Sequence, residues 1–161
     1  MKLFHGGIEI VEYPKIFDVQ RLLDFGNGFY TTTNLNQAES WATIKKKRIG
    51  NVKSIVSIYE INDDLIYNPN YQTKIFEKAD EQWLDFIVSN RKGNLIHPYD
   101  IVKGPVADDT LYTTLLLFET GILSKKETII RLKTHKLFDQ ISFHNKEVIK
   151  ELNFTEAYEV I

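Results

Sequence analysis

Glycine, aromatic and hydroxyl side chains are concentrated in residues 24–42, which read D-F-G-N-G-F-Y-T-T-T-N-L-N-Q-A-E-S-W-A. Gly26 and Gly28 lack a Cβ, so the backbone can turn tightly there and approach a ligand closely. Tyr30 and Trp41 follow as two flat side chains separated by one strand-to-helix transition. An aromatic pair of this kind usually belongs to a core, but aromatic faces can also hold a flat cation, with a gain of ~0.5–2 kcal/mol.

The same stretch predicts the elements that position these side chains. Phe29–Thr33 is aromatic and β-branched, which favours a strand. Asn34 is a good helix N-cap, and Gln37 completes a capping-box pattern. We expect the helix to run from Asn36 to Arg48. Its basic last turn, residues 45–48, is stabilised by the helix dipole, so a solvated helix end is favoured over a nucleic-acid contact.

Other polar residues stand at predicted element boundaries. His5 follows a short predicted strand; a lone histidine there is often structural, although its two ring nitrogens can also be divided between protein and ligand. Asp108 and Asp109 precede a predicted helix, where adjacent acids serve as a cap and a solvated first turn. Arg91 ends an amphipathic helix predicted over residues 79–91. Its planar fork suits a pyrophosphate as well as it suits a helix end.

Hydrophobic periodicity predicts the remaining elements. We expect strands over Lys2–His5, Val52–Ile61 (one face buried), Tyr99–Gly104, Phe138–His144 and Phe154–Ile161. We expect helices over Leu111–Phe118, Ser124–Leu137 (opened by a Ser124–Glu127 capping box) and Asn145–Leu152. A loop is expected over Asp63–Thr73. Ile8–Val11 is either a strand or an extended loop, and a connecting segment follows with a helical turn near Val19–Leu23. Strands mixed with helices without regular βαβ alternation predict an α+β fold with a mostly antiparallel sheet system. The length predicts a single domain over residues 1–161.

Composition excludes several classes of function. The chain carries 20 basic and 22 acidic residues, so no global basic field attracts nucleic acid. It has no cysteine, which fits a reducing cytoplasm. No apolar run reaches the ~18 residues of a membrane span, and the first residues are not typical of a secretory signal. The four histidines are scattered without metal-ligand spacing, so no metal site is expected.

Five sequence blocks carry a resemblance to known proteins. They are H-G near the start, D-F-G-x-G-F-Y-x-T, W-L-x-F-I-x-x-N-R, Y-D-I-V-x-G-P-V-A-D-D and D-Q-I-S-F-H. In this order and over nearly the whole chain they resemble a bacterial family of unassigned function, the DUF3990 family. The block around Tyr30, with a second aromatic residue at Trp41, also resembles the nicotinamide-binding segment of ADP-ribosyltransferases of the diphtheria-toxin and poly-ADP-ribose-polymerase type.

This resemblance implies a fold and a substrate. The fold is an ADP-ribosyltransferase-like pair of small antiparallel sheets packed against each other, with peripheral helices and NAD as substrate in the cleft between the sheets. Tyr30 and Trp41 would enclose the nicotinamide, His5 would bind a ribose hydroxyl, and the Gly6 backbone would bind the nicotinamide amide. The other residues expected to contact NAD are Gly28, Thr31 or a neighbouring threonine hydroxyl, and Arg91.

The resemblance has one departure at a position that matters for catalysis. The related enzymes begin the last motif strand with a glutamate that grips the ribose and stabilises positive charge as the glycosidic bond breaks; here that residue is Gln140. A carboxamide still forms hydrogen bonds but brings no charge, which puts efficient catalysis in doubt and argues against polymer elongation. Either Asp108 or Asp109 could supply the missing carboxylate, because the preceding strand corresponds to one that lines the NAD cleft.

The expected function is an NAD-dependent mono-ADP-ribosyltransferase-like activity in a bacterial cytoplasm, with an unknown acceptor. Small members of such families often accompany an antitoxin-like partner, so the resemblance also implies a toxin role. The alternative is a catalytically weak or inactive module with the same fold that binds NAD, ADP-ribose or a protein. A transferase acting on nucleic acid is a third possibility, against which the mild acidity argues, unless residues 45–48 form a basic rim.

Overall fold

The computed structural model describes residues 1–17, 23–93, 96–106, 109–133 and 137–161, with only the backbone of 109–111. The strands are β1 (Lys2–Gly7), β2 (Phe29–Thr31), β3 (Ile55–Glu60), β4 (Thr73–Ile75), β5 (Ile101–Pro105), β6 (Asp139–Phe143) and β7 (Asn153–Glu159). The helices are α1 (Leu35–Ile49), α2 (Glu81–Arg91), α3 (Asp109–Glu119), α4 (Lys125–Leu132) and α5 (Lys146–Ile149), with a 3₁₀ turn at Leu65–Tyr67.

The strands form two open sheets, ordered β1-β3-β7 and β2-β6-β5-β4. Every pairing is antiparallel except β4 with β5, which confirms the predicted α+β class and mostly antiparallel strands. The edges β1 and β2 meet at one antiparallel bridge, where Phe4 N donates to Thr32 O (2.9 Å) and Thr32 N donates to Phe4 O (3.0 Å). The candidate site lies directly beside this bridge, where the pairing between the two sheets stops.

A shared apolar core joins the two sheets. Leu3 and Tyr59 from the first sheet pack in one cluster with Ile141 and Phe143 from the second. The prediction that β3 buries only one face is wrong, because all its residues but the last are buried. As the central strand of its sheet, β3 turns Tyr59 to the shared core and places Val56 beside α1 on the other face.

The predicted helix starts are confirmed where local chemistry sets them. The Asn34 side chain accepts from Gln37 N at 3.0 Å, and α1 ends at Gly50 with φ 99°. Both halves of the Ser124–Glu127 capping box are present. The α1 boundaries lie within one residue of the predicted ones, because the caps satisfy backbone groups that the helix itself leaves unpaired.

Short, weakly patterned segments differ from expectation. Ile8–Val11 forms no strand, and its end is fixed by Val11 N donating to Ser57 Oγ at 3.1 Å. The predicted loop contains the 3₁₀ turn and runs directly into β4, which pairs with β5 as an edge strand. Helix α5 is a single turn. The helical turn predicted near Val19–Leu23 falls almost wholly outside the described residues. Within the described ranges, no helix has the length and apolar character to cross a bilayer.

Candidate functional site

The two sheets separate immediately after the bridge between Phe4 and Thr32. Continued pairing would place Gly6 opposite Tyr30, but side chains bind both carbonyl oxygens at that position. His5 Nδ1 donates to Tyr30 O at 2.7 Å, and Lys45 Nζ donates to Gly6 O at 2.6 Å. Because these side chains replace the next pair of backbone bonds, the pairing of β1 with β2 is interrupted there, and we call this gap in the pairing, at Gly6 and Tyr30, the opening.

Backbone N–H groups face this gap from both sides. The Phe4 backbone groups bond to Thr32, so they point away from β3, and strand alternation gives the Gly6 N–H the same direction. By the same reasoning the Tyr30 N–H points toward β1. Within the described part of the chain, neither N–H donates to any group. The opening therefore presents two unpaired donors.

His5 is held in one tautomer beside the gap. A carbonyl can only accept, so the bond to Tyr30 O requires the proton on Nδ1 and leaves Nε2 as an acceptor. Burial, reinforced by the nearby Lys45 charge, lowers the pKa of His5 to about 3. The ring stacks on Phe29 with centroids 4.5 Å apart. At neutral pH His5 is therefore an oriented, uncharged hydrogen-bond acceptor.

Helix α1 closes one side of the opening. A Cβ on Gly6 would lie 2.0 Å from the Ala38 carbonyl oxygen and 2.9 Å from the Ala42 nitrogen, so the helix backbone packs directly on β1. Trp41 is half-buried and lies one turn before Lys45, along the side of α1 from which Lys45 reaches Gly6. The structure thus brings His5, Gly6 and Lys45 to one junction, and helical spacing puts Trp41 on the same side of α1 as Lys45.

Tyr30 lies at the same junction but packs on the opposite layer. Its ring stacks on Phe25 at 6.5 Å and meets His144 edge-on at 6.4 Å, whereas Trp41 makes no ring contact with a described aromatic residue. The Tyr30 hydroxyl donates to Gly26 O (2.6 Å) and accepts from Phe25 N (3.0 Å). Burial raises the pKa of Tyr30 well above its usual value. The phenol is therefore a structural hydroxyl.

Side chains hold the glycine loop, residues 24–28, by hydrogen bonds to three of its backbone carbonyl oxygens, so these oxygens are not left for a ligand. His97 Nε2 donates to Phe25 O at 2.7 Å, Tyr30 donates to Gly26 O, and His144 Nδ1 donates to Asn27 O at 2.6 Å. We call these three side chains the loop latch. Sequence reasoning missed it, because His97 and His144 are 47 residues apart and were judged only as metal ligands. A Cβ at position 28 would lie 2.8 Å from His144 Nδ1, so the close approach of His144 in the loop latch requires glycine there.

His144 also contacts a serine, but the pair is not a nucleophilic site. Ser142 Oγ lies 2.8 Å from His144 Nε2, the separation of a serine–histidine dyad. Ser142 is 0% exposed in the middle of the second sheet, so no substrate can reach its hydroxyl. Burial is the main cause that lowers the pKa of His144 to about 4. The neutral imidazole accordingly links the loop to β6.

Gln140 lies on the same face of the second sheet as Tyr30. Tyr30 is opposite Ser142 across β2 and β6, and Gln140 is two residues from Ser142. Its side chain is 3% exposed, and Nε2 has no hydrogen-bond partner among the described residues. A buried amide donor without a partner is destabilising by ~1–3 kcal/mol, and a ligand hydroxyl would satisfy it.

The threonines that follow Tyr30 are used by the fold itself. Thr31 Oγ1 donates to Ile141 O at 2.9 Å and is fully buried. Thr32 and Thr33 both donate their hydroxyls to Asp139 Oδ1, at 3.2 and 2.8 Å. These bonds tie the end of β2 to the start of β6. The prediction of a ligand-facing hydroxyl rested on residue type alone, and these contacts give the hydroxyls internal partners.

Arg91 joins α2 to α3. Its Nε lies 3.3 Å from Glu119 Oε1, and the two side chains are 11% and 16% exposed. The guanidinium also lies 4.6 Å from the ring centroid of Tyr112. Of the two interpretations left open by the sequence, these contacts describe a structural helix end.

Replacing Glu119 by glutamine is expected to lower the free energy of unfolding by roughly 2–4 kcal/mol, because a mostly buried guanidinium would lose its counter-charge. Urea denaturation checks this. The matched control is Glu147→Gln, which removes an exposed pair with Lys150 (71% and 69% exposed) and is expected to change stability by at most about 0.5 kcal/mol. Equal, small effects of the two substitutions would refute a stabilising role for the Arg91–Glu119 pair.

The remaining candidates lie outside the opening or outside the described residues. Asp108 is not among the described residues, and Asp109 is described only as the first backbone position of α3. A separate cavity of about 450 Å³ lies between the ends of β4 and β5, α2 and α4, and its lining includes Phe76, Lys103 and Leu137. It is not lined by any residue of the opening. Among the described residues, no cluster of acids and histidines could hold a metal ion.

These features define an α+β protein whose two sheets meet at one bridge and open beside α1. The chain belongs to the DUF3990 family, whose model, described as "Protein of unknown function (DUF3990)", matches residues 1–154. This confirms the family predicted from the sequence blocks. No curated protein and no solved structure matches the chain significantly.

Proposed function

We propose that the opening between β1 and β2 binds NAD and that the protein is a mono-ADP-ribosyltransferase-like enzyme. The observation that carries this proposal is the interrupted pairing at Gly6 and Tyr30, which leaves two N–H donors facing a gap beside an oriented histidine. Trp41 lies one helical turn before Lys45 on the same side of α1. Of the residues that the family resemblance singles out, His5, Gly6 and the backbone of Tyr30 adjoin this interruption, which supports the proposal.

His5 and Gln140 suit the ribose in complementary ways. The Nε2 of His5 is an acceptor for a ribose hydroxyl, because Nδ1 holds the proton. The Nε2 of Gln140 is a buried donor without a partner, which a hydroxyl or ring oxygen could satisfy. His5 thus has the acceptor and Gln140 the donor that a ribose, which has both functions, would use.

The reaction proposed is displacement at the anomeric carbon of the nicotinamide ribose. The glycosidic C–N bond breaks, and its electron pair leaves with nicotinamide. A nucleophile of the acceptor molecule then bonds to the carbon and releases its proton. Gln140 can orient the ribose, but it cannot neutralise the positive charge that develops there, so we expect slow turnover.

Nicotinamide release from labelled NAD, with and without a bacterial lysate as source of acceptor, tests this function. Trp41→Ala is expected to reduce release at least about tenfold through lost contact with the ring. Gln140→Glu is expected to raise it, since a carboxylate would oppose the developing charge. Tyr67→Ala serves as the control and is expected to leave release unchanged, because the Tyr67 side chain is 73% exposed and is distant in sequence from the residues of the opening. If wild type and Gln140→Glu both fail to release nicotinamide or label any acceptor, the enzymatic proposal is wrong.

Gln140 also favours a second candidate, a module that binds NAD or ADP-ribose without turnover. Binding of NAD by calorimetry with no nicotinamide release, in wild type and in Gln140→Glu, would support the module. A partner protein such as an antitoxin, and a toxin role, belong to the enzymatic proposal. Expression of wild type and Trp41→Ala in bacteria tests them, since only wild type is expected to arrest growth.

A further inference from the structure

The hydrogen-bonding groups at the opening are unevenly divided between donors and acceptors. Both carbonyl oxygens are occupied, Tyr30 O by His5 and Gly6 O by Lys45. The Gly6 and Tyr30 N–H groups and the remaining Lys45 ammonium protons are left as donors for a ligand, and the acceptor that remains, His5 Nε2, is the one assigned above to the ribose. A neutral carboxamide needs one acceptor and one donor, whereas a carboxylate only accepts.

The charge at the opening, like the hydrogen bonds, favours a carboxylate over a carboxamide. The Lys45 stem is exposed, but its ammonium folds back onto the neutral Gly6 carbonyl and forms no ion pair with any described carboxylate. His5, the neighbouring titratable group, is neutral. The edge of the opening therefore carries one positive charge without a counter-charge.

We propose that Lys45, together with the Gly6 N–H, selects a carboxylate on the ligand's pyridine ring, so that the preferred ligand is the nicotinic-acid form of the dinucleotide and not the nicotinamide form. This proposal rests on the proposed function, because it places the pyridine ring in the same opening. Gly6 supplies the N–H itself, and its carbonyl holds Lys45 Nζ at 2.6 Å, so both donors lie at one residue position of β1 and can bind the two oxygens of one carboxylate.

The cationic ring strengthens this preference. The pyridine nitrogen of the oxidised dinucleotide is positively charged, and with a carboxamide the ring would bring that charge toward Lys45 uncompensated. With a carboxylate the ring is a zwitterion, whose negative end would meet the ammonium. Burial lowers the pKa of Lys45, and a bound carboxylate would reverse that shift by restoring a counter-charge.

Isothermal calorimetry of the whole chain with NAD and with nicotinic acid adenine dinucleotide tests the assignment. Wild type is expected to bind the acid form at least about tenfold more tightly, the size of one charge-assisted hydrogen bond. Lys45→Met keeps an apolar stem and should abolish that preference. Lys47→Met removes the same charge from the exposed last turn of α1 and should retain it.

The outcomes separate this proposal from the proposed function. If wild type binds both dinucleotides equally, or if Lys45→Met and Lys47→Met change the preference equally, the role of Lys45 is overturned while NAD binding stands. If wild type and Lys45→Met bind neither dinucleotide, the opening is not a dinucleotide site, and both proposals fail. Melting curves of all three proteins without ligand establish that the variants fold.

Discussion

Substitution of Gly6 by alanine is expected to lower the free energy of unfolding by more than about 3 kcal/mol, above the usual range for overpacking. The added Cβ, whose position is fixed by the backbone, would lie 2.0 Å from the Ala38 backbone carbonyl oxygen, so no side-chain rotation relieves the clash. Helix α1 would have to move away from β1. Urea denaturation followed by circular dichroism measures the loss.

Gly121→Ala is the control for this substitution. Gly121 has φ 78° and no atom within 4 Å of an added Cβ, so the change strains the backbone without a clash. We expect a loss of about 1 kcal/mol there. If Gly6→Ala were as mild as Gly121→Ala, helix α1 would not pack on β1 as described, and the wall of the opening would be lost with it.

Acidification from pH 8 to pH 5 is expected to destabilise the protein by roughly 4 kcal/mol through His5 and His144, about 2 kcal/mol from each. Their pKa values are about 3 and about 4 in the folded chain, against 6.5 in an unfolded one. Between these values the unfolded state binds more protons, so stability falls as pH falls and is fully present above pH 6.5. The physical reason is that each ring is buried as a neutral donor to a carbonyl.

The measurement is the free energy of unfolding at pH 8 and pH 5 in wild type and in His144→Gln. Glutamine can still donate to Asn27 O but does not titrate, so the variant should lose about 2 kcal/mol less between the two pH values. Carboxylates change the free energy of unfolding with pH equally in both proteins, so their contribution cancels in this comparison. Identical slopes in the two proteins would mean that His144 is accessible to protons in the folded state.

Local chemistry made the helices around the site predictable. Asn34 and Ser124 mark their helices by side-chain bonds to backbone groups a few residues away, which a sequence displays directly. The class of fold followed from the mixture of periodic segments. The packing of Gly6 against α1 could not be predicted, because a glycine's contact with a distant helix backbone leaves no pattern in the sequence.

The groups that close the opening were the least predictable part of the site. Lys45 was read as one of several cations at a helix end, and only the fold shows that it turns back to the Gly6 carbonyl. The loop latch is similar, since His97 and His144 reach the carbonyls of Phe25 and Asn27 from separate segments. Long-range side-chain-to-backbone bonds depend on register between elements, which one sequence does not reveal.

Amide-detected NMR titration of the labelled protein with NAD is the sharpest test of dinucleotide binding at the opening, because it reports on each backbone N–H. If NAD binds there, we expect saturable shifts of the Gly6 and Tyr30 amides and of the Trp41 indole, with little change at Phe76 or Leu137 in the separate cavity. Shifts confined to that cavity, or unchanged Gly6 and Tyr30 amides at saturating NAD, would contradict it.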